Sequence, residues 1–551
     1  MNGKLRFKLM GILAVICLLL AACTSGGGSG NEGSKAPASS SPTGSSAQAD
    51  QSEPPSPSNF NKEAFPIVPE KITLKIMGAK APIQGPWDQL AFFKEMEKLT
   101  NVALEFDTPP MDSFNERMNL SFATNSLPDF IFGSFNQLTA AKAYEYGSQG
   151  FLVPLEDLIE SYAPNVKKLL DDNPDYRKSL TSPDGHIYTL PRIEAGFGLY
   201  WPKFWINQEW LDELNLQTPK TLDELAGVLK AFHAKDGNII PMTSQKLDDI
   251  RAGLMNAFGY VMDGQTFFAI KNDKVVFVPA QEEYKAYLEF LHGLYDQKLL
   301  DAETFTQTRQ QMQAKGADKR LGFFFDGADF LTVGNENSQA YTMVPPLTST
   351  FNADPIAVKN NPLGYGTFAI TKENDHPEAT IRWVDYLFGK EGAILHTFGL
   401  EGEHWESTPD GGIRRIIPEG SNQAEFTGQN ITPDVGATRT PKDHTFIDEI
   451  AQIGEEQNNP QNYGIRKEVN EKLMPYVRDG FPILHFTEEE QKERAVLQTD
   501  ITTYMREMEA KFVIGAESLD KWDGYLKTLS NMQVEQLSAL YQQAYDRWKQ
   551  Q

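Results

Sequence analysis

The chain has 551 residues, 75 acidic against 51 basic side chains, a formal net charge of -24 and two cysteines. Such acidity repels phosphates and anionic headgroups, so nucleic acid is not expected as a partner. With only Cys17 and Cys23 available, the fold must rest on core burial rather than disulfides, and the length suffices for two or three lobes with sizeable cores.

Lys4, Arg6 and Lys8 precede an apolar run from Leu9 to Ala22. A basic start, an apolar stretch and small residues before a cut predict a secretory segment over residues 1–23. The run is shorter than the roughly 20 residues a membrane span needs. Its end, Leu20-Ala21-Ala22-Cys23, resembles a bacterial lipobox. That resemblance implies cleavage before Cys23, lipidation of that residue and attachment to the outer face of the cytoplasmic membrane; the alternative is an ordinary secretory segment ending near a cysteine. Cys17 would leave with the segment. Residues 24–66, with Gly26-Gly27-Gly28 and Pro54-Pro55-Ser56-Pro57, lack apolar periodicity and predict a disordered tether. Its reach is on the order of 35 Å.

Order is expected from Ile72, where Ile72, Leu74 and Ile76 alternate before Gly78, the mark of a strand and its turn. A helix from Trp87 to Thr100 and a strand Val102 to Phe106 complete a β-α-β unit, which argues for an α/β lobe. Further strands are expected at 127–132, 187–191, 198–201, 203–207, 321–325, 341–346 and 368–370. Thr221 is read as a helix N-cap and Glu224 as the partner in a capping box. Helices are expected over 281–297, 377–389, 487–512 and 534–548, whereas 401–444 is loop-rich and joins neither lobe by pattern.

The order of motifs is similar to the family 1 extracellular solute-binding proteins of ABC importers, most of all their long lipoprotein branch. The residues concerned include Leu127-Pro128-Asp129, Leu152-Val153-Pro154-Leu155, Asp184-Gly185-His186-Ile187-Tyr188, Pro219-Lys220-Thr221 and Gly389-Lys390-Glu391-Gly392. Gly399-Leu400-Glu401-Gly402 and Ile514-Gly515 to Trp522-Asp523 extend the match over roughly residues 70 to 550. The resemblance implies an α/β, two-lobed, periplasmic-binding-protein-like clamshell of type II character, hinged between lobes. Residues 67–195 with about 358–400 would form one lobe, and 196–357 with about 445–551 the other. It also implies capture of a small solute, an oligosaccharide in many members, and delivery to permease subunits by a monomeric receptor. Some long members carry a calcium loop where this chain has Lys235-Asp236-Gly237-Asn238-Ile239-Ile240; that stretch is too poor in carboxylates, so no metal and no cofactor is expected.

Sugar-like solutes call for aromatic faces and a few placed polar groups in a cleft. Tyr200, Trp201 and Trp205 cluster at the expected crossing between lobes; Trp201 and Trp205 would share a strand face, unless one is core. Trp87 and Asp88 follow the first strand, where open α/β sheets bind ligands; Asp88 reads equally as a cap. Asp129, Asp326, Tyr365, Trp405 and Arg251 complete the candidates, against readings as turn acceptor, surface packing or ion pair. No nucleophile elbow, Walker loop or His-Glu-x-x-His pattern is present, so an enzyme is not expected. The alternative is a surface lipoprotein hydrolysing polysaccharide with spatially paired carboxylates.

Overall fold

The computed structural model describes residues 60–134, 137–262, 266–436 and 438–551. Cys23, the secretory segment and the tether up to residue 59 lie outside the described residues. The last part of the expected tether folds instead of dangling. Phe60 meets Tyr162 edge-on at 5.3 Å and Phe65 meets Tyr386 at 5.4 Å. These two rings supply the apolar area that the Gly/Ser stretch lacks.

The strands that frame the molecule are β1 (Ile72–Met77), β2 (Val102–Asp107), β3 (Phe130–Phe132), β4 (Leu190–Ile193), β5 (Lys203–Asn207) and β6 (Ile240–Thr243). They continue with β7 (Leu321–Asp326), β8 (Tyr341–Val344), β9 (Ala357–Lys359), β10 (Leu363–Ile370), β11 (Lys442–Asp443) and β12 (Val477–Asp479). A six-stranded sheet has the order β11-β4-β10-β3-β1-β2, and a four-stranded sheet the order β8-β5-β7-β6. The helices used below are α1 (Ala91–Thr100), α2 (Ala140–Ser148), α3 (Leu222–Lys235), α4 (Leu247–Leu254), α5 (Glu488–Val513) and α6 (Val534–Gln550).

In the first sheet β10 alone runs antiparallel to its neighbours. The other five strands therefore end at one edge. The expected β-α-β unit is there, with Phe92, Phe93 and Met96 of α1 buried beneath the sheet. In the second sheet β5 opposes β7 and β8, and β6 is parallel to β7. Lys203 pairs with Asp326 and Phe204 with Val344, so β7 and β8 end where β5 begins. Every residue of β7 is buried, as in a strand covered on both faces. The chain crosses between the sheets after β4 and again between β9 and β10, and β9 pairs with β12 in a parallel ribbon beside these crossings. The carboxyl edges of both sheets thus face the crossings.

Several local expectations change. Residues 196–199 form a 3-10 turn rather than a strand, because Gly196 has φ 78 and breaks extended pairing. Thr221 does cap α3, accepting from the Glu224 backbone at 3.1 Å, but the Glu224 carboxylate accepts from the Lys220 N–H at 2.7 Å, one residue earlier than a capping box requires. Reciprocal boxes occur instead at Thr308 with Gln311 and at Thr487 with Glu490, the second heading α5. The stretch 401–444 contains a hairpin (Trp405–Ser407 with Ile413–Arg415), a helix (Gln423–Asn430) and β11, which joins the first sheet. Among the described residues no helix is long and apolar enough to cross a membrane.

Candidate functional site

The two carboxyl edges differ. That of the first sheet is roofed. Gln84 in the loop after β1 donates through Nε2 to the Pro433 carbonyl (2.5 Å) and Thr438 Oγ1 (2.8 Å), and accepts from Trp87 Nε1 (2.9 Å). Arg192 Nη1, on β4, lies 2.8 and 2.7 Å from the two Asp434 carboxylate oxygens, and Lys442 Nζ on β11 lies 2.7 Å from the same carboxylate. Burial alone would raise the Asp434 carboxyl; Arg192 and Lys442 hold it well below the usual range. Burial pushes the Lys442 ammonium down to about 8.

The edge of the second sheet is open. Trp201 lies over Gly327, just past β7, where a Cβ would stand 3.3 Å from the indole. With 38% of its surface exposed, Trp201 is free to meet a solute. It borders a cavity of about 910 Å³, in the size range of small-ligand sites. Asn360, between β9 and β10, forms part of the wall and fixes the crossing by donating through Nδ2 to the Trp201 carbonyl at 3.0 Å. The start of α4 adds Asp248 and Asp249. Burial raises the Asp249 carboxyl, which accepts from Ser244 Oγ at 3.3 Å.

The longest wall is one face of α5: Gln491, Arg494, Gln498, Thr502 and Arg506. Spacings of three and four residues stack these side chains on one stripe, about 22 Å long at 1.5 Å per residue. Toward the C-terminal half of the helix the neighbouring stripe turns into core, through Ile501, Met505, Glu509 and Phe512. Arg494 lies over the Phe486 ring at 4.4 Å and donates to Gln491 Oε1 (2.9 Å) and Tyr541 Oη (3.2 Å). Arg506 donates to Asp248 at 3.3 Å. From the first lobe α2 approaches the start of α5: burial and then the charges of Asp184, Glu489 and Glu488 raise the Tyr144 phenol, and Glu488 first, then Glu489 and Glu145, raise the Lys492 ammonium. One aromatic face beside fixed amides, hydroxyls and charges suits a solute with flat apolar faces and a rim of hydroxyls.

Of the residues picked out in the sequence, Trp201 alone lines this cavity. Trp205, Trp87 and Arg251 are each 1% exposed. Trp205 points into the second lobe and donates to the Asp326 carbonyl at 3.1 Å. Trp87 stacks on Phe93 inside the first. Arg251 is ion-paired with Glu509 and Asp248, a buried pair rather than the surface pair weighed above. Asp326 sits at the expected strand end, but it is buried and compensated by Arg309 at 2.6 Å. Asp129 precedes β3, at the edge away from the crossings, and accepts from the Lys75 N–H of β1 at 2.5 Å, a tie to the neighbouring strand rather than the turn acceptor weighed above. Asp88 is exposed beside the roofed edge and accepts from Gln89. Tyr365 reaches the crossing region, yet its hydroxyl is buried, burial pushes it up to about 12, and its ring meets His485 at 5.5 Å. Trp405 belongs to the hairpin and donates to the Gly399 carbonyl at 3.0 Å. Sequence reasoning missed the polar stripe of α5, because a polar helix face ordinarily means solvent.

The turn after α3 does not fit a calcium ion. Calcium takes 6–8 oxygen ligands. Here Asp236 accepts from the Asn238 N–H at 2.8 Å, and the Asn238 carbonyl accepts from Arg320 Nε at 3.1 Å. A guanidinium thus occupies an oxygen that a cation would need.

Two hinged α/β lobes with a polar cavity at the crossings define a solute-binding protein of the clamshell class. A family model for bacterial extracellular solute-binding proteins matches residues 79–394, and the chain belongs to that family. It is 28% identical over 514 residues to the fructooligosaccharide ABC transporter substrate-binding protein FusA of Streptococcus pneumoniae, covering 88% of this chain and 92% of that one. The solved structure of FusA in complex with kestose superposes with a TM-score of 0.69 at 25% identity, over 87% of this chain and 99% of that one. The alginate-binding protein AlgQ2, solved without calcium ion, gives 0.65 at 26% identity with the same coverage.

Proposed function

We propose that this chain is the membrane-tethered receptor of an ABC importer and that its solute is an oligosaccharide. The observation that carries the reading is the cavity at the crossings, with Trp201 as a platform beside the polar stripe of α5. The indole covers the C–H face of a sugar ring, while Asn360, Gln498 and the Asp248–Arg506 pair meet its hydroxyls. Both FusA and AlgQ2 are named for glycans, which supports the same class here. Bound sugar bridges the second lobe to the approaching first lobe, so it favours the closed form by its differential affinity for that form. Residues from Trp87, Asp88, Asp129, Asp326, Tyr365 and Trp405 are not needed for this contact.

Cys23 carries the lipid in this reading, holding a monomer at the outer face of the cytoplasmic membrane. Tethering confines diffusion to a layer beside the permease and raises its effective concentration there. In this reading the chain binds without turnover, in keeping with FusA and AlgQ2, which are named for binding.

Calorimetry and small-angle scattering with a panel of glycans and peptides test the proposal. Stoichiometric binding of an oligosaccharide, compaction and no new reducing ends are expected. Peptide binding alone, or turnover, would overturn it.

A further inference from the structure

The cavity under Trp201 does not end at the crossing. Met262, Asn360 and Arg494 also wall a second cavity of about 370 Å³, bounded on its far side by residues 480–484 and Phe486. Asn360, Asn361, Gly480 and Pro482 are in turn shared with a third cavity, of about 620 Å³. The three follow one another around the β9–β12 ribbon.

The third cavity has the same kind of lining as the first. Tyr176 and the Trp548 indole, with the Lys178 ammonium 5.1 Å over its ring, provide aromatic surface, Tyr545 lies buried beside them, and Asp175 and Asp479 provide acceptors. Tyr545 and Trp548 are stacked with centroids 5.9 Å apart, and Trp548 is anchored by donating to Ser179 Oγ at 3.2 Å. Its walls come from both lobes: Tyr176 and Ser179 follow α2 in the first, and Trp548 ends α6 on the second. Fixed aromatics with carboxylates and amides are again a sugar-type surface.

We infer that these cavities are one trough, and that its far part is a distal subsite for the end of a linear oligosaccharide too long for the space under Trp201. Arg494 and Asn360 would mark the passage from one part to the other. The stripe on α5 already runs about 22 Å, which lays a chain lengthwise and directs one end toward Arg494. This inference rests on the oligosaccharide reading given above.

Calorimetry with inulin-type fructans and with oligogalacturonates of increasing length is the test, on the wild type and on Trp548→Ala and Asp479→Asn. Asp479 is an exposed residue of β12, so its variant guards against a folding defect in the first. Longer members should bind more tightly than short ones, and each variant should lose about fivefold on long members while leaving short ones unchanged. Affinity independent of length overturns the inference, and so does an equal loss on short and long members, which would mark Trp548 as a tie between lobes. Binding of short members in either case leaves the oligosaccharide reading standing; no binding at any length removes both.

Discussion

The carboxyl edge of the first sheet and that of the second are alike in topology and opposite in use. In the first, Arg192, Asp434 and Lys442 knit residues 433–443 across the strand ends, and Gln84 and Trp87 fill what remains. In the second, β7 ends under a single exposed indole, and that indole borders the cavity. The rule that α/β sheets bind at their carboxyl ends thus holds for one lobe and is cancelled in the other by a later segment of chain. Burying charge is what makes the roof permanent, because once two cations and a carboxylate are enclosed, neither partner can leave alone.

The largest effect should come from breaking the roof. Asp434→Ala leaves Lys442 buried without its carboxylate and Arg192 with Glu194 alone, which costs about 3–5 kcal/mol. Denaturant unfolding should show that loss, while the fraction still folded binds glycan normally; a loss of affinity in the folded fraction would mean that the roof shapes the site.

Lys203 tests the open edge from the other side. It is 2% exposed at the start of β5, its Nζ has no hydrogen-bond partner, and burial pushes it down to about 8 from 10.5. Below pH 8 the folded state therefore carries a buried charge that the unfolded chain solvates, and that penalty fades as pH climbs from 8 to 10.5, where both states lose the proton. Lys203→Met should raise stability by about 2 kcal/mol at pH 7, with the gain gone above pH 10.5. Thermal unfolding across that range measures it, and a destabilised variant at neutral pH would assign Lys203 a partner across the open edge.

Trp201→Ala should weaken glycan affinity about tenfold, or ~1.4 kcal/mol, and leave the melting temperature nearly unchanged, because the indole is a surface group. Equal affinity for variant and wild type would move the site away from the open edge.

Much of the lobe architecture was legible. Alternation at Ile72, Leu74 and Ile76 and the apolar run Leu321 to Phe325 gave strands where strands are, because burial on a sheet face leaves a period in the chain. Residues 401–444 were not legible, since a two-residue strand and a polar helix carry no period. The candidate site was barely legible. Trp87, Trp201, Trp205 and Trp405 are alike as letters, and whether an indole faces core or cleft depends on which segment lies over it.

What the sequence alone determined is the acidic composition and the run of α/β elements, because each is local along the chain; the lipobox-like Leu20-Ala21-Ala22-Cys23 is equally local, and the secretory start it implies is an expectation. The tertiary structure decided which sheet edge stays open, turned one face of α5 into a cavity wall and hid Trp205 and Arg251. Those outcomes depend on contacts between residues hundreds of positions apart, as between Arg192 and Asp434 or Arg251 and Glu509, and no local pattern records them.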